Sequence, residues 1–246
     1  MKLQKKEAMR ESQDKTYADP SKWHVSTLVS TSGRLYCALR YAKILEAFGV
    51  LKEDSMQRKI KILEPGCGVG SVSSALSVFG KVWGFDYSSE AIKTARALFG
   101  DSAIFFEADG TSPLAVKEIA GERFDCIIIK EFHPLSRNIA DGRKPLEIVE
   151  DYYSMLRAGG VMVIENSQSP FNWRRFEGVL QTSGIVKRYK ADVFFTLSLD
   201  MVLPARILIR SRAALIVLSR LLDPAVFLYC LIRGSNLSKT TVILKI

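Results

Sequence analysis

From Lys61 onward, short apolar runs alternate with stretches that carry apolar residues at a spacing of three to four. The runs KILEP, KVWGFDY, AIFFEAD, FDCIIIKEF and GVMVIENS are short and β-branched or aromatic, and Gly, Pro or charged residues bound them, which predicts strands. Between them SVSSALSVFG, SSEAIKTARALFG, SPLAVKEIAG and KPLEIVEDYYSMLRAGG predict helices that stop at glycine. Nearly continuous apolar strands alternating with helices predict a parallel sheet covered on both faces. In such sheets a ligand sits at the carboxyl ends of the strands, where the polar residues of these segments fall.

Ahead of the first strand, SGRLYCALRYAKILEAFG predicts a helix. Past the fifth strand come FNWRRFEGVLQTSG, VKRYKADVFFTLSLDMV and a basic-apolar helical stretch. The chain closes with KTTVILKI, a strand placed to pair antiparallel at the sheet edge.

Composition narrows the class without deciding it. The chain has 246 residues, 48% of them hydrophobic and 25% charged, enough apolar content for a globular core. Cys37, Cys67, Cys126 and Cys230 are far apart, with no CxxC pair. That spacing excludes a common zinc or disulfide framework and suits a reducing, cytoplasmic location. No apolar h-region follows the basic N-terminus, and no run reaches the length of a membrane span. The net charge of +9 is unevenly spread: +5 over residues 1–60, −4 over 61–170 and +8 over 171–246. The basic ends suit an anionic partner.

The candidate chemistry centres on ILEPGCGVGSVSSAL, Ile62 to Leu76. Gly66, Gly68 and Gly70 alternate after an acidic residue, Glu64, and Ser71 stands where a dinucleotide fingerprint needs its third glycine. A Gly-Lys-Ser/Thr phosphate loop is missing as well, so neither NAD nor ATP fits. Downstream, the second strand ends at Asp86, twenty residues after Gly66, and the third runs into Glu107-Ala108-Asp109-Gly110. A carboxylate at the first of these places can accept from a ribose diol, and one at the second from an exocyclic amine.

Acid at the end of strand one, glycine loop, acid at the end of strand two and acid after strand three together resemble the class I S-adenosylmethionine-dependent methyltransferases, over residues 61 to about 167. The resemblance implies a Rossmann-like α/β fold, a mostly parallel seven-stranded sheet with helices on both faces and an antiparallel edge strand. It implies a methyltransferase domain over 59–246, a helical lid or cap over 1–58, and a basic-apolar helical insertion at about 204–236. The implied cofactor is S-adenosyl-L-methionine. Glu64, Gly66, Cys67, Gly68 and Gly70 would form its loop, with Glu64 facing the cationic methionyl end. Asp86 would take the ribose hydroxyls and Asp109 the adenine amine; Tyr87 and Gly110 would neighbour the adenosine, and Lys130 completes the implied set.

Acceptors in that family lie beyond the fourth strand, here IIIKEFHPLSR. His133 is a base for an acceptor hydroxyl or a residue capping the turn before Pro134; Glu131 assists it or supports the cofactor. The stretch lacks the Asn/Asp-Pro-Pro-aromatic motif of base-amine enzymes, and Cys126 lies too early to be a cytosine-C5 nucleophile. Nucleic acid is therefore the weaker fit as partner. A small-molecule or glycan acceptor, lipid-linked in one version and methylated on oxygen, is the reading carried forward. An RNA or protein methyltransferase and a non-catalytic cofactor-binding protein are the alternatives.

Residues 204–233 surround Arg206, Arg210 and Arg220 with apolar runs broken at Asp223-Pro224. This stretch is a peripheral contact with an anionic membrane, a lid, a dimerisation element, or a helical pair packed on the sheet. Tyr17, Trp23 and His24 are lid candidates at the other end of the chain. Oligomeric state is left open by the sequence.

Overall fold

The computed structural model describes residues 2–19, 31–51, 59–132, 135, 145–165, 193–194 and 240–245. Two helices come first, α1 (Lys2–Tyr17) and α2 (Thr31–Ala47). The alternating part follows as β1 (Ile60–Pro65), α3 (Ser71–Leu76), β2 (Gly80–Asp86), α4 (Ser89–Phe99) and β3 (Ile104–Glu107). Next come two 3-10 turns (Pro113–Ala115 and Lys117–Ile119), β4 (Phe124–Lys130), α5 (Pro145–Ser154) and β5 (Leu156–Glu165). Strands β6 (Val193–Phe194) and β7 (Thr240–Leu244) complete it.

The seven strands form one sheet in the order β3-β2-β1-β4-β5-β7-β6. The first five run parallel, and β7 is antiparallel to β5, with β6 beside it. The α/β class, the mostly parallel sheet and the antiparallel strand at its far end are therefore as expected. Because side chains alternate across a strand, each one feeds two cores. Ile62, Cys126, Ile128, Val161, Val163 and Val242 pack on one face, against Tyr41 and Ile44 of α2, Leu76 of α3 and Ala95 of α4. Leu63, Ile127, Ile129, Met162, Ile164 and Ile243 pack on the other, against the 3-10 turns and α5. Burial of this kind stabilises by about 1.5–3 kcal/mol for each Val, Leu or Ile.

Local outcomes differ from the sequence expectation in four places; in one, KPLEIVEDYYSMLRAGG is helical only from Pro145 to Ser154, and its Leu156 to Gly160 already belong to β5. SPLAVKEIAG forms two short 3-10 turns, because Val116 between them is extended at φ −79°, ψ 111°. SVSSALSVFG is helical only to Leu76, since the strand already starts at Gly80, where a Cβ would lie 2.0 Å from the Ile60 carbonyl oxygen. KLQKKEAMRESQDKTY, where the apolar pattern predicts no element although the resemblance implies a helical cap, is helix α1. It has no apolar stripe to advertise it and is held by polar contacts.

His133, Trp23, His24, Cys230, and the stretches 204–233 and 204–236 lie outside the described residues. No described helix is long and apolar enough to cross a membrane.

Candidate functional site

The strand order reverses direction between β1 and β4, and the loops leaving those two strands open a crevice there, the usual ligand position in an open α/β sheet. The cleft is partly open to solvent, with a cavity volume of about 70 Å³. Its lining comes from Gly66 after β1, from Phe85, Asp86 and Tyr87 around the end of β2, and from Ala108, Asp109 and Gly110 after β3. Glu131 and Phe132 after β4, with Gln13 and Tyr17 of α1, close it.

The loop from Pro65 to Gly70 depends on its glycines. Gly66, Gly68 and Gly70 have φ of 68°, 53° and 77°, a region costly for residues with a Cβ. Space excludes larger residues as well. A Cβ on Gly66 would stand 2.9 Å from Phe132, one on Gly68 3.2 Å from the Tyr17 hydroxyl, and one on Gly70 2.6 Å from Phe105. The loop folds back on β2 through the Cys67 N–H, which donates to the Phe85 carbonyl at 3.0 Å.

Asp86 ties this loop to the next one. Its Oδ2 accepts from the Gly68 N–H at 3.0 Å and its Oδ1 from the Ser88 N–H at 2.9 Å. Burial raises its carboxyl above the usual range, opposed by these same N–H donors. Asp109 forms an Asx turn: its Oδ1 accepts from the Thr111 N–H at 3.0 Å and the Thr111 hydroxyl at 2.8 Å. Glu131 sits at φ 50°, the one described non-glycine residue with positive φ, a strained backbone in the lining of the cleft.

Helix α1 lies across the carboxyl ends of β2 and β3. Arg10 forms an ion pair with Glu107, and Asp14 accepts from the hydroxyl of Ser88, the N-cap residue of α4. One turn on, the Tyr17 ring covers the glycine loop. Burial, then the neighbouring Asp86, pushes the Tyr17 phenol up, so it stays a neutral hydrogen-bond donor.

Of the residues singled out from sequence, Tyr17, Gly66, Asp86, Tyr87, Asp109, Gly110 and Glu131 meet in this cleft. Glu64, Cys67, Gly68, Gly70 and Lys130 do not line it. Glu64 points inward and accepts from the Ser73 hydroxyl, only 3% exposed. Burial raises its carboxyl to about 7, with the Ser73 hydrogen bond and the Lys130 charge opposing. The Cys67 thiol is buried and lies 3.5 Å from the Gly68 carbonyl oxygen. Lys130 is paired in register with Glu165 of β5. Below the site, Glu165 receives the Tyr41 hydroxyl at 3.1 Å and pairs with Arg40 at 3.0 Å, fixing α2 beneath the ends of the strands.

Gln13, Phe85, Ala108 and Phe132 line the cleft without having been singled out. The one sequence signal for Gln13 is its i, i+4 spacing to Tyr17, which puts both on one face of a helix. Phe132 reads in sequence as the apolar tail of a strand.

The donor set fits an adenosine sulfonium. Among the described lining residues no side chain is basic, whereas Asp86, Asp109 and Glu131 are acidic. Such a cleft disfavours a pyrophosphate and favours a cation. Two carboxylates on successive strand ends suit a diol and an amine, and of the three glycines Gly66 lines the cleft.

Residues 56–188, more than half of the chain, match a family model described as a methyltransferase domain. No curated protein matches the chain. Among solved structures, the chain is similar to the plantazolicin methyltransferase BpumL in complex with a pentazolic desmethylPZN analog and SAH (20% identity, 74% of this chain and 66% of that one, TM-score 0.45). It is also similar to SAM-bound CalS10, an amino pentose methyltransferase from Micromonospora echinaspora (17% identity, 55% and 52%, TM-score 0.41). A third is the CcbJ methyltransferase from Streptomyces caelestis (16% identity, 44% and 43%, TM-score 0.36). The chain covers less than two thirds of the length of each of the three. With more than half of its residues matched by the family model, the chain belongs to the methyltransferase-domain family.

Proposed function

We propose that the protein is an S-adenosylmethionine-dependent methyltransferase acting on the hydroxyl of a small-molecule or glycan acceptor. The observation that carries the cofactor part is the pairing of Asp86 and Asp109 with Gly66 in one cleft that has no described basic lining. When bound, the cofactor supplies a methyl group activated by a sulfonium. Asp86 is assigned to the ribose hydroxyls and Asp109 to the adenine amine. The glycine loop admits the methionyl part, and Glu64 acts from beneath by anchoring α3 through Ser73. Tyr17 and Gln13 form a lid that excludes water, so residues 1–58 serve as a cap on the domain that follows.

This chain's part in the transfer would be to align the acceptor oxygen with the cofactor's methyl carbon and sulfur and to receive the acceptor's proton. Glu131, in the lining of the cleft, and His133, two residues on, are the groups assigned to that proton. Glu131-Phe132-His133-Pro134 lacks the motif of base-amine enzymes, which supports an acceptor other than a nucleic-acid base.

Methyl-labelled S-adenosylmethionine offered with separated pools of hydroxylated small molecules, glycans, RNA and protein tests this. Label in either of the first two pools is expected. Label confined to RNA or protein contradicts the acceptor, and label in none contradicts the activity.

A further inference from the structure

The turn after β3 is gripped from the side of α5. Tyr152 is fully buried, and its hydroxyl donates to the Gly110 carbonyl oxygen at 2.8 Å. Its ring meets Phe132 edge to face, centroids 6.3 Å apart at 85°. Gly110 has no spare room between them: a Cβ there would lie 2.6 Å from Phe132 and 3.1 Å from the Tyr152 oxygen. Thr111 holds the turn from the far side through Asp109 Oδ1. The rest of the buried face of α5 is Ile148, Val149 and Tyr153, which pack as apolar groups. At position 152 a phenylalanine would fill the same volume. The hydroxyl adds direction instead of bulk, because a buried carbonyl that loses its donor is costly and the peptide plane after Gly110 turns to keep it.

We propose that Tyr152 is a positioning residue that makes the cleft selective for adenine. By fixing the Gly110 carbonyl it holds the adjacent Asp109 carboxylate toward the place of the exocyclic amine. This rests on the cofactor reading above and adds to it a residue of α5 that packs behind the lining residue Phe132 and does not itself line the cleft.

The test compares two ligands by calorimetry, S-adenosylhomocysteine and its deaminated analogue, in which a carbonyl replaces the amine. The wild-type protein should bind the adenine compound at least about tenfold more tightly, equivalent to about 1.4 kcal/mol. In Tyr152→Phe the affinity for S-adenosylhomocysteine should fall about tenfold, while the deaminated ligand changes less than twofold, so the preference disappears. Equal weakening of both ligands, or an unchanged preference, overturns the proposal, because a purely structural role moves the two together. Should Tyr152→Phe not fold, Thr111→Val loosens the same turn with Tyr152 in place and must lose the preference; if it keeps it, the proposal fails. The wild type separates this from the underlying reading. No binding of S-adenosylhomocysteine defeats the cofactor assignment itself, whereas tight binding of both ligands defeats only the selectivity.

Discussion

Gly70 and Gly159 both adopt positive φ, 77° and 74°, yet their surroundings are opposite. An added Cβ at Gly159 meets nothing within 4 Å, whereas at Gly70 it meets the Phe105 ring at 2.6 Å and Ala95 at 3.1 Å. Gly159→Ala should therefore cost only the left-handed strain, about 1 kcal/mol. Gly70→Ala should cost about 3 kcal/mol, because overpacking a core adds about 1–3 kcal/mol. Urea denaturation of both variants checks the order; equal losses would mean that Phe105 yields freely. Glu64 offers a second test at this scale. Burial raises its carboxyl from 4.5 to about 7, so between those values the folded protein binds more protons than the unfolded one. Stability should thus fall as pH rises through this window, by on the order of 3 kcal/mol, and level off above it. Glu64→Gln, which can still accept from Ser73, should flatten that slope in melting curves taken from pH 5 to 8. An unchanged slope would place the titration elsewhere. The identity of Glu64 as an important carboxylate was legible in sequence, but its direction was not. Which face a strand-end side chain takes depends on Ser73 of the following helix, and that contact is visible only in three dimensions.

At the scale of elements, α1 is the least obvious part and the one most open to test. It is a polar helix whose Arg10–Glu107 pair is well exposed, so that the pair stabilises by at most about 1 kcal/mol. Its other ties are the Asp14 cap on α4 and the packing of Tyr17 on the loop. Removing residues 1–30 should leave the sheet folded by circular dichroism and weaken S-adenosylhomocysteine binding about tenfold or more. Tyr17→Ala should reproduce most of that loss. Full affinity in both variants would mean that α1 is no lid. Hydrophobic periodicity made β1 to β5 legible because they are buried on both faces, and it made α2, α4 and α5 legible because each has an apolar side. It was silent on α1, whose sequence shows no apolar stripe, and misleading on SPLAVKEIAG, where extended Val116 interrupts the turns.

For the molecule as a whole, the order β3-β2-β1-β4-β5-β7-β6 converts residues scattered along the chain into one site. Gly66, Asp86 and Asp109 are each about twenty residues apart, one per strand-to-helix unit, which is why sequence spacing revealed them. Gln13 and Phe132 come from the first helix and from past the fourth strand, and no spacing rule links them to the glycine loop. The arrangement is acidic, whereas the chain as a whole carries +9. That contrast makes the claim of an S-adenosyl ligand, which carries no phosphate, specific to the cleft. It is tested most directly by calorimetric titration with S-adenosylhomocysteine, beside NAD and ATP, on the wild type and on Asp86→Ala shown to be folded. Saturable one-to-one binding of S-adenosylhomocysteine alone, weakened at least tenfold in Asp86→Ala, is the predicted result. Folded wild-type protein, free of copurified ligand, that binds none of the three or binds NAD or ATP instead would contradict it.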